Sequence, residues 1–96
     1  MTSGAISSVL AEAQKELDRA RLGVAEAALA LTICHEKLDR VVDHAVEQRK
    51  FSPIEALFRE EEAARKFYER AANYLARSEE RWFALGTALA AEQEQA

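Results

Sequence analysis

Hydrophobic residues recur every seven positions along most of the chain. In the first half, one series and a second series three residues after it comprise Leu10, Leu17, Val24, Leu31, Leu38 and Ala45, and Ala13, Ala20, Ala27, Cys34 and Val41. In the second half, the two series comprise Ile54, Glu61, Tyr68, Leu75, Trp82 and Leu89, and Leu57, Ala64, Ala71, Ser78 and Leu85. This spacing is typical of the a and d positions of a coiled coil. It predicts two long amphipathic helices, over about residues 5–49 and 53–92.

The two predicted helices are separated by a turn at residues 49–53. Pro53 is the only proline; it disfavours helical backbone at the residue before it and fits the first position of a new helix. Ser52 and Glu55 have the spacing of a capping box, and the basic residues Arg49 and Lys50 suit the negative end of the first helix. The sequence therefore predicts an all-α fold, an antiparallel two-helix hairpin. It forms a single domain over residues 1–96, with residues 1–5 and 92–96 frayed.

The side chains of the two helices also suggest how they face each other. One register places a small residue opposite a large one in most layers, through the pairs Ala13–Leu89, Ala20–Trp82, Ala27–Leu75 and Cys34–Tyr68. The same register places His44 beside Glu60. Glu61 is the acidic member of the series and faces Val41, so we expect its carboxylate to extend toward Arg40, Arg65 or the solvent near the turn.

A second apolar surface lies on the back of the first helix. Leu22, Ala25, Leu29 and Ile33 follow the spacing i, i+3, i+7 and i+11, and Phe67 and Tyr74 lie on one flank of the second helix. A two-helix hairpin leaves most of both helices in water, which is a weak basis for independent stability. We therefore expect these six residues to form a protein interface. Pairing of two hairpins into a four-helix bundle is the simplest arrangement, as a homodimer or a tetramer, and a larger protein is an alternative partner.

Composition and charge narrow the classes of ligand. The net charge of −4 and the pI near 5.2 disfavour nucleic acid as a partner, because phosphate binding needs a clustered excess of Lys and Arg. The single cysteine, Cys34, excludes an internal disulfide. The first residues lack the basic region of a signal peptide, and no apolar run approaches the length of a membrane span. We expect a cytoplasmic protein that is not bound to a membrane.

Few residues in the chain suggest chemistry. His35 and Asp39 are spaced i, i+4, and they could join His44, Glu60 and Glu61 in a divalent metal site when hairpins assemble. A ferritin-like di-iron site also requires Glu-x-x-His, which is absent. Cys34, which the predicted register places beside Tyr68, is expected to pack in the helix interface as a small hydrophobic residue and not to act as a nucleophile. We therefore expect no enzyme activity, no cofactor and no metal.

The length and the hairpin architecture resemble the small secreted helical hairpins of the WXG100 family. That family carries Trp-x-Gly in its central turn, whereas the turn here is Lys50-Phe-Ser-Pro53, and Trp82-Phe-Ala-Leu-Gly86 lies within the second helix at a different spacing. The resemblance is one of shape, and it implies a secreted hairpin.

The sequence favours a non-enzymatic adaptor, assembly factor or small chaperone that acts through self-association and helix-mediated protein binding. The alternatives are a metal-binding, ferritin-like helical bundle formed on oligomerisation, and a WXG100-like secreted hairpin.

Overall fold

The chain folds into a rod of two antiparallel helices. The computed structural model describes residues 3–49 and 52–95, with side chains for residues 4–49 and 54–95. Helix α1 spans Ser3–Gln48 and helix α2 spans Ser52–Gln95. The rod measures 73 × 15 × 13 Å, which is about the length of one 46-residue helix at a rise of 1.5 Å per residue. The predicted all-α hairpin is confirmed.

The turn follows directly on the C-terminus of α1. Arg49 has a φ of 56°, in the left-handed region, which is a common way for a helix to end. A left-handed residue satisfies the last carbonyl groups of the helix and reverses the direction of the chain. Lys50, and the Ser52 side chain of the predicted capping box, lie outside the described part of the chain.

The predicted a and d residues form the interface between α1 and α2. With one exception these residues are buried or half-buried, and the large side chain of Leu17 is only 2% exposed. The exception is Trp82, which is 38% exposed, so its prediction as a core residue is wrong. Near the open end of the rod, a single facing helix does not cover a side chain as large as indole.

The register differs from the predicted one by one heptad. Glu60 lies 3.6 Å from the Nζ atom of Lys37, and not beside His44, which is seven residues further along α1. His35 Nε2 lies 3.1 Å from Glu61 Oε1, and the Tyr74 hydroxyl donates a hydrogen bond of 2.9 Å to Glu16 Oε1. The predicted register separates both of these pairs by more than a helical turn.

The observed register therefore changes which a and d residues of α1 and α2 face each other. The His35–Glu61 and Lys37–Glu60 contacts place Cys34 opposite Glu61 instead of Tyr68. By the seven-residue repeat, Ala27, which has no exposed surface, then lies opposite Tyr68 instead of Leu75. The shift also lets Ile6 and Leu89, both half-buried, form an additional layer at the open end. Because both series repeat every seven residues, a shift of seven preserves the apolar interface and most of its large–small pairs. The repeat alone does not distinguish the two registers.

Candidate interaction surfaces

The outer stripe of α1 consists of Leu22, Ala25, Leu29 and Ile33. The helical repeat places these residues on one side of α1, away from its a and d positions. Leu22 is 59% exposed, Leu29 is 62% exposed and Ile33 is 52% exposed, and Ala25 is also exposed. Nothing in the described part of the chain covers them. Contiguous exposed apolar residues of this size are a feature of protein-interaction sites.

The rod exposes more solvent-accessible surface than a compact monomer of the same mass. A compact monomer of 10.7 kDa exposes about 5,500 Å² by the usual scaling of surface with mass, whereas this chain exposes 7141 Å². The excess is about 1,600 Å², which is comparable to the total area buried in a standard protein–protein interface. A single hairpin thus leaves enough surface for a stable interface with another molecule.

A groove between the two helices holds the two predicted interface residues of α2. It has a volume of about 390 Å³ and is lined by Arg19, Ala20 and Gly23 of α1 and by Phe67, Arg70, Ala71 and Tyr74 of α2. We call it the arginine groove. Its floor is made of small residues, and a Cβ atom added at Gly23 would meet no atom within 4 Å. The outer stripe does not line this groove, so the structure divides the six predicted interface residues between two surfaces.

The arginine groove continues toward the open end of the rod. An adjoining depression of about 260 Å³ is lined by Glu16, Tyr74, Arg77, Ser78 and Arg81, so Tyr74 is common to both. Ser78 is 4% exposed, and its hydroxyl has no hydrogen-bond partner among the described residues. We include this depression in the arginine groove, which is therefore bordered by four arginines, two in each depression, and lined by the rings of Phe67 and Tyr74.

Tyr74 is held in place from across the groove. Its hydroxyl donates to Glu16 Oε1 at 2.9 Å, which links α2 to α1. This hydrogen bond to a carboxylate is the main reason that the pKa of Tyr74 is raised above its usual value of 10.0, and the neighbouring Ser78 hydroxyl and the positive charge of Arg19 oppose the shift. The ring is thereby fixed as one wall of the groove.

On another part of the rod, charged side chains pair with each other. Glu61, the acidic member of the heptad series, is 16% exposed; its carboxylate lies 3.1 Å from His35 Nε2 and 3.8 Å from the guanidinium of Arg65. The expectation that this carboxylate extends toward Arg65 is confirmed, and the observed register adds His35 as a second partner. A partly buried carboxylate is tolerated because the hydrogen bond with His35 and the ion pair with Arg65 compensate its loss of hydration.

The proposed metal ligands do not converge within one hairpin. The structure brings His35 and Glu61 together, but Glu60 pairs with Lys37, and neither Asp39 nor His44 joins them. Among the described residues, no group of three or more His, Cys, Asp and Glu side chains is arranged to hold a metal ion. Cys34 is a half-buried free thiol in the helix interface.

Sequence reasoning did not identify the arginine groove. Its signal is present in α2, where Arg70, Tyr74, Arg77 and Arg81 follow the spacing i, i+4, i+7 and i+11 and so lie on one side of the helix. The contribution of α1 depends on the register, which the heptad repeat leaves undetermined.

No protein-family model matches the chain, and neither a curated protein sequence nor a solved structure matches it. Within residues 3–49 and 52–95, neither helix has a stretch that is both long and apolar enough to cross a membrane.

Proposed function

We propose that this protein is a non-enzymatic helical adaptor or assembly factor, with chaperone-like binding of other helices, and that it self-associates through the outer stripe of α1. Two hairpins pack these stripes against each other to form a symmetric four-helix bundle. The observation that carries the proposal is the exposure of Leu22, Leu29 and Ile33 in the middle of a helix whose opposite side is already covered by α2. We propose a cytoplasmic location for this assembly.

The energetics of the exposed stripe support this arrangement. Burial of a leucine or isoleucine side chain contributes about 1.5–3 kcal/mol relative to its exposure to water. Three such residues on each of two copies, with Ala25 between them for close approach, supply a substantial part of the free energy that a dimer requires. The excess surface of about 1,600 Å² per chain is sufficient for an obligate homodimer interface.

The test compares two glutamate substitutions on the outer sides of the two helices. Leu29→Glu introduces a charge into the outer stripe, and Asn73→Glu introduces the same charge on the exposed side of α2. We expect Leu29→Glu to reduce the mass measured by light scattering from a dimer to a monomer, while Asn73→Glu leaves it unchanged. If both variants keep the wild-type mass, the outer stripe is not the self-association surface.

The contact between His35 and Glu61 favours a second candidate function, a metal-binding bundle. Two of the proposed ligands are already adjacent in one hairpin, and association of two hairpins would supply further ligands. Elemental analysis of tag-free protein separates the two functions. The adaptor contains no stoichiometric metal, whereas the metal-binding bundle contains at least one bound ion per assembly.

A further inference from the structure

We propose that the arginine groove binds an acidic amphipathic helix of a partner protein. This inference rests on the proposed adaptor function and gives the chemistry of the partner that the adaptor holds. The groove, with its continuation toward the open end, supplies an apolar floor, two aromatic rings and a border of four arginines. The bound helix places apolar side chains on the floor and carboxylates against the border.

The lysines and arginines of the chain differ in whether a carboxylate lies next to them. Six lysines and arginines of the described chain lie within 4.0 Å of a carboxylate: Lys15, Arg21, Lys37, Arg59, Arg65 and Lys66. Among the described residues, the arginines without such a partner are Arg40 and Arg49, outside the groove, and the four arginines of the groove, Arg19, Arg70, Arg77 and Arg81. The carboxylate that lines this surface, Glu16, accepts the hydrogen bond of Tyr74. A protein of net charge −4 thus has a local excess of positive charge at this surface.

The length and depth of the groove match a helix. The lining residues of α2 extend from Phe67 to Arg81, which corresponds to about 21 Å, or four helical turns. Ala20, Gly23 and Ala71 keep the floor low, and the space above Gly23 is open. A third helix of about 14 residues fits along the groove between two packed helices, with apolar residues at intervals of three and four. Tyr and Arg are the residues that most often dominate the energy of such interfaces.

The charges of the chain distinguish a partner protein from other occupants. A second copy of this hairpin offers the carboxylates of Glu60, Glu61 and Glu62 as its longest acidic run, but these are paired with Lys37, His35, Arg65 and Lys66. Nucleic acid is disfavoured because the net negative charge of the protein repels a polyanion at long range. An acidic helix of limited length matches both the local charge and the apolar floor.

Fluorescence anisotropy with labelled synthetic peptides tests the proposal. The probe is a helical peptide of about 14 residues with leucines at intervals of three and four and glutamates at the flanking positions. One control peptide carries lysine in place of every glutamate, and a second has the composition of the probe with its leucines distributed around the helix. We expect the acidic amphipathic probe to bind, with an affinity that falls as salt is added, and the two controls to bind at least about tenfold more weakly.

Two protein variants, each with a matched control variant, assign the binding to this groove. The double substitution Arg70→Glu and Arg77→Glu should weaken probe binding by at least about tenfold, because it reverses two charges of the border. The matched control, Arg21→Glu with Arg59→Glu, reverses two charges outside the groove and should change the affinity by less than about twofold. Gly23→Leu fills the groove without a change of charge and should also abolish binding, while Gly86→Leu, on the opposite flank of the rod, should not.

Several outcomes would overturn the proposal. One is that the acidic probe fails to bind, or that either control peptide, with lysines or with redistributed leucines, binds as tightly as the probe. Another is that the control variant Arg21→Glu with Arg59→Glu loses as much binding as Arg70→Glu with Arg77→Glu. A third is that an oligonucleotide or an anionic lipid vesicle binds more tightly than the probe. Circular dichroism of each variant establishes that it is folded. Two further measurements separate the groove from self-association. If monomeric Leu29→Glu binds the probe, the groove acts independently of the outer stripe. If the Arg70→Glu, Arg77→Glu variant keeps the wild-type mass, self-association does not depend on the groove.

Discussion

Leu17 and Leu29 are leucines of the same helix with opposite surroundings. Leu17, at the interface with α2, is 2% exposed, whereas Leu29, on the outer stripe, is 62% exposed. Around Leu29, over residues 22–34, α1 is apolar on almost every side. The heptad repeat determines which of these sides α2 covers. The remaining apolar side has no partner in the described chain and is the source of the proposed association.

The helix interface and the outer stripe should differ most in how much stability is lost when Leu17 or Leu29 is replaced by alanine. Leu17→Ala removes a buried side chain and should destabilise the hairpin by about 2–4 kcal/mol at every protein concentration. Leu29→Ala removes an exposed side chain, and it should lower stability only to the extent that it weakens association. Its effect should therefore grow with protein concentration. Urea unfolding followed by circular dichroism at several concentrations measures both; equal effects with no concentration dependence would contradict the distinction.

An engineered disulfide can test the register in which α1 and α2 face each other. In the observed register, Cys34 faces Glu61, so Glu61→Cys should form an intramolecular disulfide on mild oxidation and stabilise the hairpin by about 3 kcal/mol. Tyr68→Cys would form this bond only in the register predicted from the sequence. Mass spectrometry of the oxidised proteins separates the two, and efficient cross-linking of Cys34 to position 68 would show that the register is wrong.

The turn lies outside the helix interface and the outer stripe, so a substitution there should change the stability of the hairpin and not its association. Arg49 has a positive φ, which is unfavourable for a residue with a Cβ atom and costs nothing sterically for glycine. Arg49→Gly should therefore raise the free energy of unfolding by about 0.5–1 kcal/mol, the net of relieved strain and greater freedom in the unfolded chain. Chemical denaturation measures the change. A loss of stability would mean that the arginine side chain makes contacts that outweigh the backbone strain.

The smallest effect concerns the proton on Tyr74. The hydrogen bond to Glu16 raises its pKa in the folded state above 10.0, so folding strengthens proton binding. The resulting stabilisation is present below pH 10.0 and is lost as the pH rises through the folded-state pKa. Glu16→Gln should move the phenolate absorbance midpoint of Tyr74, identified by difference from Tyr74→Phe, down toward 10.0. An unchanged midpoint would show that the Glu16–Tyr74 contact does not form in solution.

The sequence predicted the fold because its evidence is local. The heptad repeat specifies two amphipathic helices, and Pro53 specifies where one helix gives way to the next. The same repeat correctly identified the covered side of each helix, apart from Trp82. Its outer residues, including Leu22 and Leu29, were already separable from the interface by their position in the repeat.

The register and the arginine groove depend on long-range geometry instead. Apart from the layers at the two ends of the hairpin, a shift of one heptad leaves each a and d residue facing another a or d residue, so the pattern assigns both registers similar packing. Ion pairs such as Lys37–Glu60 and the His35–Glu61 contact distinguish them, but each contributes only about 1 kcal/mol or less and has no strong sequence signal. The groove contains residues of both helices, so it could not be predicted until the register was known.

The most direct test of the central claim is the mass of the wild-type protein by light scattering after size exclusion, over a wide range of concentrations. We expect a stable assembly of two hairpins, about twice the monomer mass of 10.7 kDa, with high helicity throughout. A well-folded monomer of 10.7 kDa at every concentration would contradict it, because Leu22, Leu29 and Ile33 would then remain in water without a second copy to cover them.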